Sequence, residues 1–118
     1  MARLDDDLYR WCEASARGGL GALPAAPRFA RDSAVVVVAA AAGYPEMPAK
    51  GARLEGELLP APEYFYAGVA KGAVSGGRVF GAMGMAPSLA GARAQAYERI
   101  TQLRFSGMHY RKDIGGKS

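Results

Sequence analysis

Two short segments hold the residues best suited to chemistry. Ser75-Gly76-Gly77-Arg78-Val79 places an arginine beside two glycines, and Tyr110-Arg111-Lys112-Asp113-Ile114-Gly115 is a basic, aromatic segment near the C-terminus. Glycine lets backbone amides approach a ligand closely, and arginine adds a fixed charge with a planar fork of donors. Both suit a phosphate or another anion. The competing reading of Gly76-Gly77-Arg78 is a plain hairpin turn with a solvated arginine. Tyr44 and Lys50 flank a loop stiffened by Pro45 and Pro48. There Lys50 would serve an anion as a point charge, or stand as an ordinary solvated lysine. Arg111, Lys112 and Asp113 fit either a ligand-facing network or a surface ion pair.

Other chemistries are poorly supplied. The one cysteine, Cys12, allows no internal disulfide and no Cys-x-x-Cys metal site, and it suits a reducing cytoplasm. The one histidine, His109, excludes a multi-histidine metal site and has no obvious partner for base catalysis. The sequence carries no nucleophile elbow, P-loop, dinucleotide fingerprint or carboxylate cluster for magnesium. The net charge of +4 mildly favours anionic ligands without the dense basic stripe expected for nucleic acid. The acidic, polar start is unlike a signal peptide. The longest apolar run, Ala34 to Gly43, is about half the length of a membrane span.

These residues need a scaffold, and 118 residues suit a single domain over 1–118. A helix and connector are expected over 1–32, and the main body over 33–118. Asp5, Asp6 and Asp7 cap the first helix, Leu4, Leu8, Trp11 and Cys12 share one face that covers a core, and Gly18-Gly19 ends it. Ser33 to Ala41 reads as a strand buried on both faces, because its four valines alternate with no polar residue. Further strands are expected over Arg53 to Leu59, with Leu54 and Leu58 inward, over Glu63 to Val69, and within Gly72 to Met83. Val74, Val79 and Phe80 are core candidates. Pro87-Ser88 opens a second helix on which Leu89, Ala92, Ala96, Ile100 and Leu103 recur at helical spacing. The Gly-Gly-Lys-Ser terminus is expected to be flexible. The order points to an α+β fold. It is a small, mostly antiparallel, barrel-sandwich-like sheet, with an N-terminal and a C-terminal helix packed on it.

In order, these segments resemble the C-terminal domain of phosphoribosylamine–glycine ligase (glycinamide ribonucleotide synthetase), a family of the ATP-grasp superfamily. The matching pieces are Arg3-Leu4 with Asp6-Asp7-Leu8, and Val35 to Ala40 leading into Gly43-Tyr44-Pro45. Lys50-Gly51, Ala67-Gly68, Gly76-Gly77-Arg78-Val79 and Ala94-Gln95-Ala96-Tyr97 follow. Gly107-Met108 and Tyr110 to Gly115 complete the series. Two departures stand out: Tyr66 and Val69 replace the histidine and threonine of the usual His-Ala-Gly-Thr.

The resemblance implies an enzyme joining glycine to 5-phosphoribosylamine in purine biosynthesis, with ATP and magnesium held by ATP-grasp domains outside this chain. It implies no cofactor and no catalytic residue here, so the isolated chain is expected to be inactive. Its partners would be those ATP-grasp domains and phosphoribosylamine or glycinamide ribonucleotide, with no nucleic acid and no membrane. Gly76, Gly77 and Arg78, with Ala67 and Gly68 nearby, would wall the phosphoribosyl pocket, and Lys50, Tyr44 and Arg111 are secondary candidates. The alternative is a free-standing, non-catalytic module that binds phosphorylated sugars or acts as an interaction domain, such as a homo-oligomer.

Overall fold

The computed structural model describes residues 1–116. Lys117 and Ser118, part of the terminus expected to be flexible, lie outside the described residues. The chain divides into two compact units, Met1–Asp32 and Ser33–Ser118.

In the first unit, helix α1 spans Leu8–Arg17. Asp7 is its N-cap and accepts from the Tyr9 amide at 3.0 Å, and Gly18 ends it in the left-handed region at φ 72°. Helix α1 has no fully buried residue: on its expected apolar face Leu8 and Cys12 are exposed, whereas Leu4 and Trp11 are half-buried. A segment this short cannot build a core alone. Polar contacts order it instead. The Asp6 carboxylate accepts from the amides of Asp7 at 2.9 Å and Arg28 at 3.1 Å, and Leu4 pairs with Phe29.

The second unit is an open, three-stranded antiparallel sheet with one helix on its inner face. Strands β1 (Ser33–Ala40), β2 (Tyr64–Tyr66) and β5 (Arg78–Ala86) are ordered β1-β5-β2, while β3 (Val69–Ala70) and β4 (Ala73–Val74) form a separate two-stranded ribbon. The α+β class and the antiparallel sheet are as expected from the sequence.

Strand β1 differs from expectation. It is half-buried: Val35 and Val37 face the core, whereas Val36 and Val38 are 43% and 45% exposed on the other face. A run of valines cannot reveal this, since both faces carry the same residue type. The stretch 53–59 also differs, forming isolated pairings of Arg53 with Ala73 and Glu55 with Arg104 rather than a strand. Leu54 packs against the core as expected, but Leu58 is 50% exposed.

Helix α2 (Leu89–Gln102) is capped by Ser88, whose hydroxyl accepts from the Gly91 amide at 3.0 Å. It buries Ala92, Ala96 and Ile100, followed by Leu103, while Leu89 stays exposed. Small residues let helix and sheet approach closely. A β-carbon on Gly84 would lie 2.0 Å from the Ala92 carbonyl oxygen. The core between them holds Val35, Val37, Val74, Val79 and Phe80, with Phe80 edge-on to Tyr64 at 5.6 Å and to Phe105 at 6.3 Å between ring centroids.

Pairing with β2 ends at Ala82, so the remaining edge of β5 needs other partners. The Met83 amide donates to the Glu63 carbonyl at 3.0 Å, and Arg99 of α2 donates to the Met83 carbonyl. The Met85 amide donates to Gln95 at 3.1 Å. Side chains of α2 thereby finish the sheet.

Candidate functional site

The site forms where β1 ends. Ala41 donates to the Gly77 carbonyl at 2.8 Å on one side. Ala40 and His109 exchange backbone hydrogen bonds of 2.8 and 3.0 Å, so the C-terminal segment adds one rung to the edge of β1. The two basic segments singled out in the sequence therefore flank the same strand end.

Between them lies a cleft of about 240 Å³ lined by Val38, Ala40, Tyr44, Arg78, His109, Tyr110 and Arg111. Its floor is apolar and its walls are aromatic and cationic. A second cavity of about 380 Å³ opens on the outward face of the sheet, lined by Val36, Val38, Phe65, Ala67, Arg78, Phe80 and Gly81. Val38 and Arg78 border both cavities, so the two lie side by side.

A bulge aims Arg78. Ala39 pairs with Phe80, but Ala40 pairs with Arg78, leaving Val79 as the extra residue of β5. Both Val79 and Phe80 are buried as a result, and the exposed Arg78 stands opposite Ala40 at the cleft. Among the described residues Arg78 has no carboxylate within 4.0 Å, so its guanidinium faces the opening without a counter-charge.

Arg111 is arranged differently. Its Nε donates to Asp113 at 2.9 Å, and a second nitrogen donates to the other carboxylate oxygen, closing a two-pronged pair. That hydrogen bonding holds the Asp113 carboxyl below its usual range and keeps Arg111 more firmly protonated. Both side chains are solvent-exposed, so the pair is weak and open to exchange.

The glycines have packing duties of their own. A β-carbon on Gly77 would fall 2.2 Å from Cδ2 of Tyr44, and one on Gly68 would fall 2.6 Å from the Arg78 carbonyl oxygen and 2.8 Å from Cα of Gly76. Close packing against their neighbours alone accounts for glycine at positions 68 and 77. Gly43, at φ 80°, closes the Tyr44 loop: its carbonyl accepts from the Met47 amide at 2.8 Å.

Of the residues expected from sequence, Tyr44, Arg78 and Arg111 line the first cleft, and Ala67 joins Arg78 at the second. Gly68, Gly76 and Gly77 line neither cavity, but Gly77 packs against Tyr44 and Gly68 against the Arg78 carbonyl. Lys50 is exposed and is not among the residues lining either cavity. Sequence reasoning did not anticipate Val38 and Tyr110 as lining residues, or the backbone pairing that places His109. Pairing between residues so distant in sequence leaves no local signal. Among the described residues, no group of three or more His, Cys, Asp or Glu side chains could hold a metal ion. No helix there is long and apolar enough to cross a membrane.

Fold and site together define a small α+β domain with a cationic, aromatic cleft at the end of an open antiparallel sheet. The chain belongs to the family described as "Phosphoribosylglycinamide synthetase, C domain", which it matches over residues 34–117.

It is similar to a phosphoribosylamine–glycine ligase of Neisseria meningitidis, at 38% identity across 100% of this chain and 29% of that protein. A chloroplastic phosphoribosylamine–glycine ligase of Arabidopsis thaliana is 33% identical across 100% of this chain and 24% of its own length. The crystal structure of phosphoribosylamine–glycine ligase from Thermotoga maritima matches with a TM-score of 0.67 and 35% identity, over 87% of this chain and 27% of that one. This chain thus spans less than a third of the length of these relatives.

Proposed function

We propose that the chain acts as the C-terminal domain of a phosphoribosylamine–glycine ligase, walling the pocket that holds the phosphorylated sugar. The observation that carries this is the convergence of Arg78, Arg111 and Tyr44 on one cleft, in a chain that matches ligase relatives along its whole length. Two guanidinium groups can grip a phosphate through charge-assisted hydrogen bonds, and the tyrosine rings and Val38 suit the sugar's less polar face.

ATP and magnesium belong, in this proposal, to the ATP-grasp domains. The donor set of the described residues does not fit a metal ion, and no chemical step is assigned to this chain. The isolated domain is expected to catalyse no ligation. Its lone, exposed Cys12 fits a reducing compartment such as the cytoplasm.

The outward face of the sheet supports the same proposal. Val36, Val38 and Phe65 are each more than 40% exposed and lie together, which is unfavourable unless something covers them. The remaining two-thirds or more of the relatives' length supplies the natural cover.

Titration calorimetry with ribose 5-phosphate and glycinamide ribonucleotide tests the site. Saturable heat that Arg78→Ala weakens by about 1.5–3 kcal/mol is expected, the range for hydrogen bonds to charged groups. No heat from either ligand at millimolar concentration would refute it. Light scattering tests the face: a monomer is expected, whereas a stable dimer would mean that a second copy covers it.

A further inference from the structure

We propose that Arg93 and Tyr97 of α2 are positioning residues for the cleft, holding the C-terminal segment so that Arg111 stands in its wall. The proposal rests on the reading that this cleft binds a phosphorylated sugar.

These two residues are four apart and share one face of the helix. The Tyr97 hydroxyl donates to the Arg111 carbonyl at 2.8 Å and accepts from the Ile114 amide at 3.1 Å. Arg93 donates through Nε to the Ile114 carbonyl at 3.0 Å and through Nη2 to the Lys112 carbonyl at 2.8 Å. Its guanidinium lies 4.8 Å from the centre of the Tyr97 ring, so each side chain fixes the other. Four backbone groups between residues 111 and 114 are thus held by two side chains.

The segment is pinned on both sides of Arg111. Before it, His109 is paired with Ala40 of β1. After it, the clamp on Lys112 and Ile114 takes over, and Gly115 turns at φ 68° close against Val35. Charge alone would nominate Arg93 as a ligand contact. Its guanidinium instead holds main-chain carbonyls and lines neither cavity, so it acts on the cleft by placing the segment that carries Arg111. An anion site needs its guanidinium groups at fixed separation, and a loosely held segment would leave Arg78 to act alone.

The test uses the whole chain labelled with nitrogen-15, titrated with ribose 5-phosphate while the Arg78 and Arg111 side-chain Nε–H signals are followed. In the parent both signals should move with one dissociation constant. Tyr97→Phe, which removes only a hydroxyl, should weaken binding about fivefold, as should Arg93→Lys, which keeps the charge but loses the fork. In an Arg111→Ala background neither change should matter by more than about twofold. Equal losses in both backgrounds, or none in Tyr97→Phe, would overturn the proposal. If Arg78 moves and Arg111 does not, the proposal fails while the sugar-phosphate reading stands. If neither moves at millimolar ligand, that reading fails and the proposal with it.

Discussion

Gly77 lies so close beneath the ring of Tyr44 that a β-carbon there would stand 2.2 Å from Cδ2. The contact joins the end of the Tyr44 loop to the residue preceding Arg78, so two walls of the cleft share one packing point. In Gly77→Ala the ring must swing aside, and it can, because Tyr44 is itself partly exposed. The expected stability loss is about 1 kcal/mol, the low end for overpacking. Ribose 5-phosphate binding should weaken severalfold. Urea unfolding and calorimetry on the same variant would check both.

Gly84→Ala should behave quite differently. There the added carbon meets helix backbone, at 2.0 Å from the Ala92 carbonyl oxygen and 2.5 Å from the Ala96 amide nitrogen. Neither can move without lifting α2 from the sheet. A loss of about 3 kcal/mol or more is expected in urea unfolding, at or above the upper end for overpacking. A loss as small as that of Gly77→Ala would mean the helix sits further from β5 than described.

Ile100→Ala and Leu58→Ala separate the core from a residue that only its sequence setting suggested as core. Ile100 is fully buried between α2 and the sheet, and its truncation should cost about 2–5 kcal/mol. Leu58 is half exposed, and its truncation should stay within about 0.5 kcal/mol. Comparable losses for the two would restore Leu58 to the core.

Acid should loosen the first unit through Asp6. The Arg28 amide, and then the Asp7 amide, hold the Asp6 carboxyl below its ordinary range. A depressed folded value means the contribution is fully present above the unfolded pKa, near 4, and is lost as pH falls through the lower folded value. Protection of the Arg28 amide in hydrogen exchange should therefore be level from neutral pH down to about 4 and fall below it. Asp6→Asn should show reduced protection at neutral pH and no such acid step.

Asp113→Asn should tighten rather than weaken anion binding. The Asp113 carboxylate now occupies the fork of Arg111 that a phosphate would use. Because both side chains are exposed, the competition is weak, and a gain of about two- to threefold is expected by calorimetry. A loss of affinity would show that Asp113 orients Arg111 for the ligand instead of competing with it.

Much of this molecule was legible in its residues. Helical spacing of Ala92, Ala96, Ile100 and Leu103 placed α2, Asp7 and Gly18 bounded α1, and the ordered motifs from Arg3 to Gly115 indicated the family. Such signals are local or cumulative along the chain, so a sequence carries them in full. The valine run of β1 hid its two faces because identical side chains leave no alternation to read. The 53–59 stretch misled because its rungs, Arg53 with Ala73 and Glu55 with Arg104, reach distant residues, and Leu58 is left half exposed.

The cleft was settled by tertiary structure alone. The bulge at Val79 turns Arg78 toward the strand end, and the pairing of Ala40 with His109 brings Arg111 within the same cleft. Register shifts and long-range rungs depend on which backbone groups find partners when the sheet and helix pack together. Sequence thus determined which residues carry charge and which elements they sit on, while packing decided that Arg78, Tyr44 and Arg111 meet and that Lys50 stays apart.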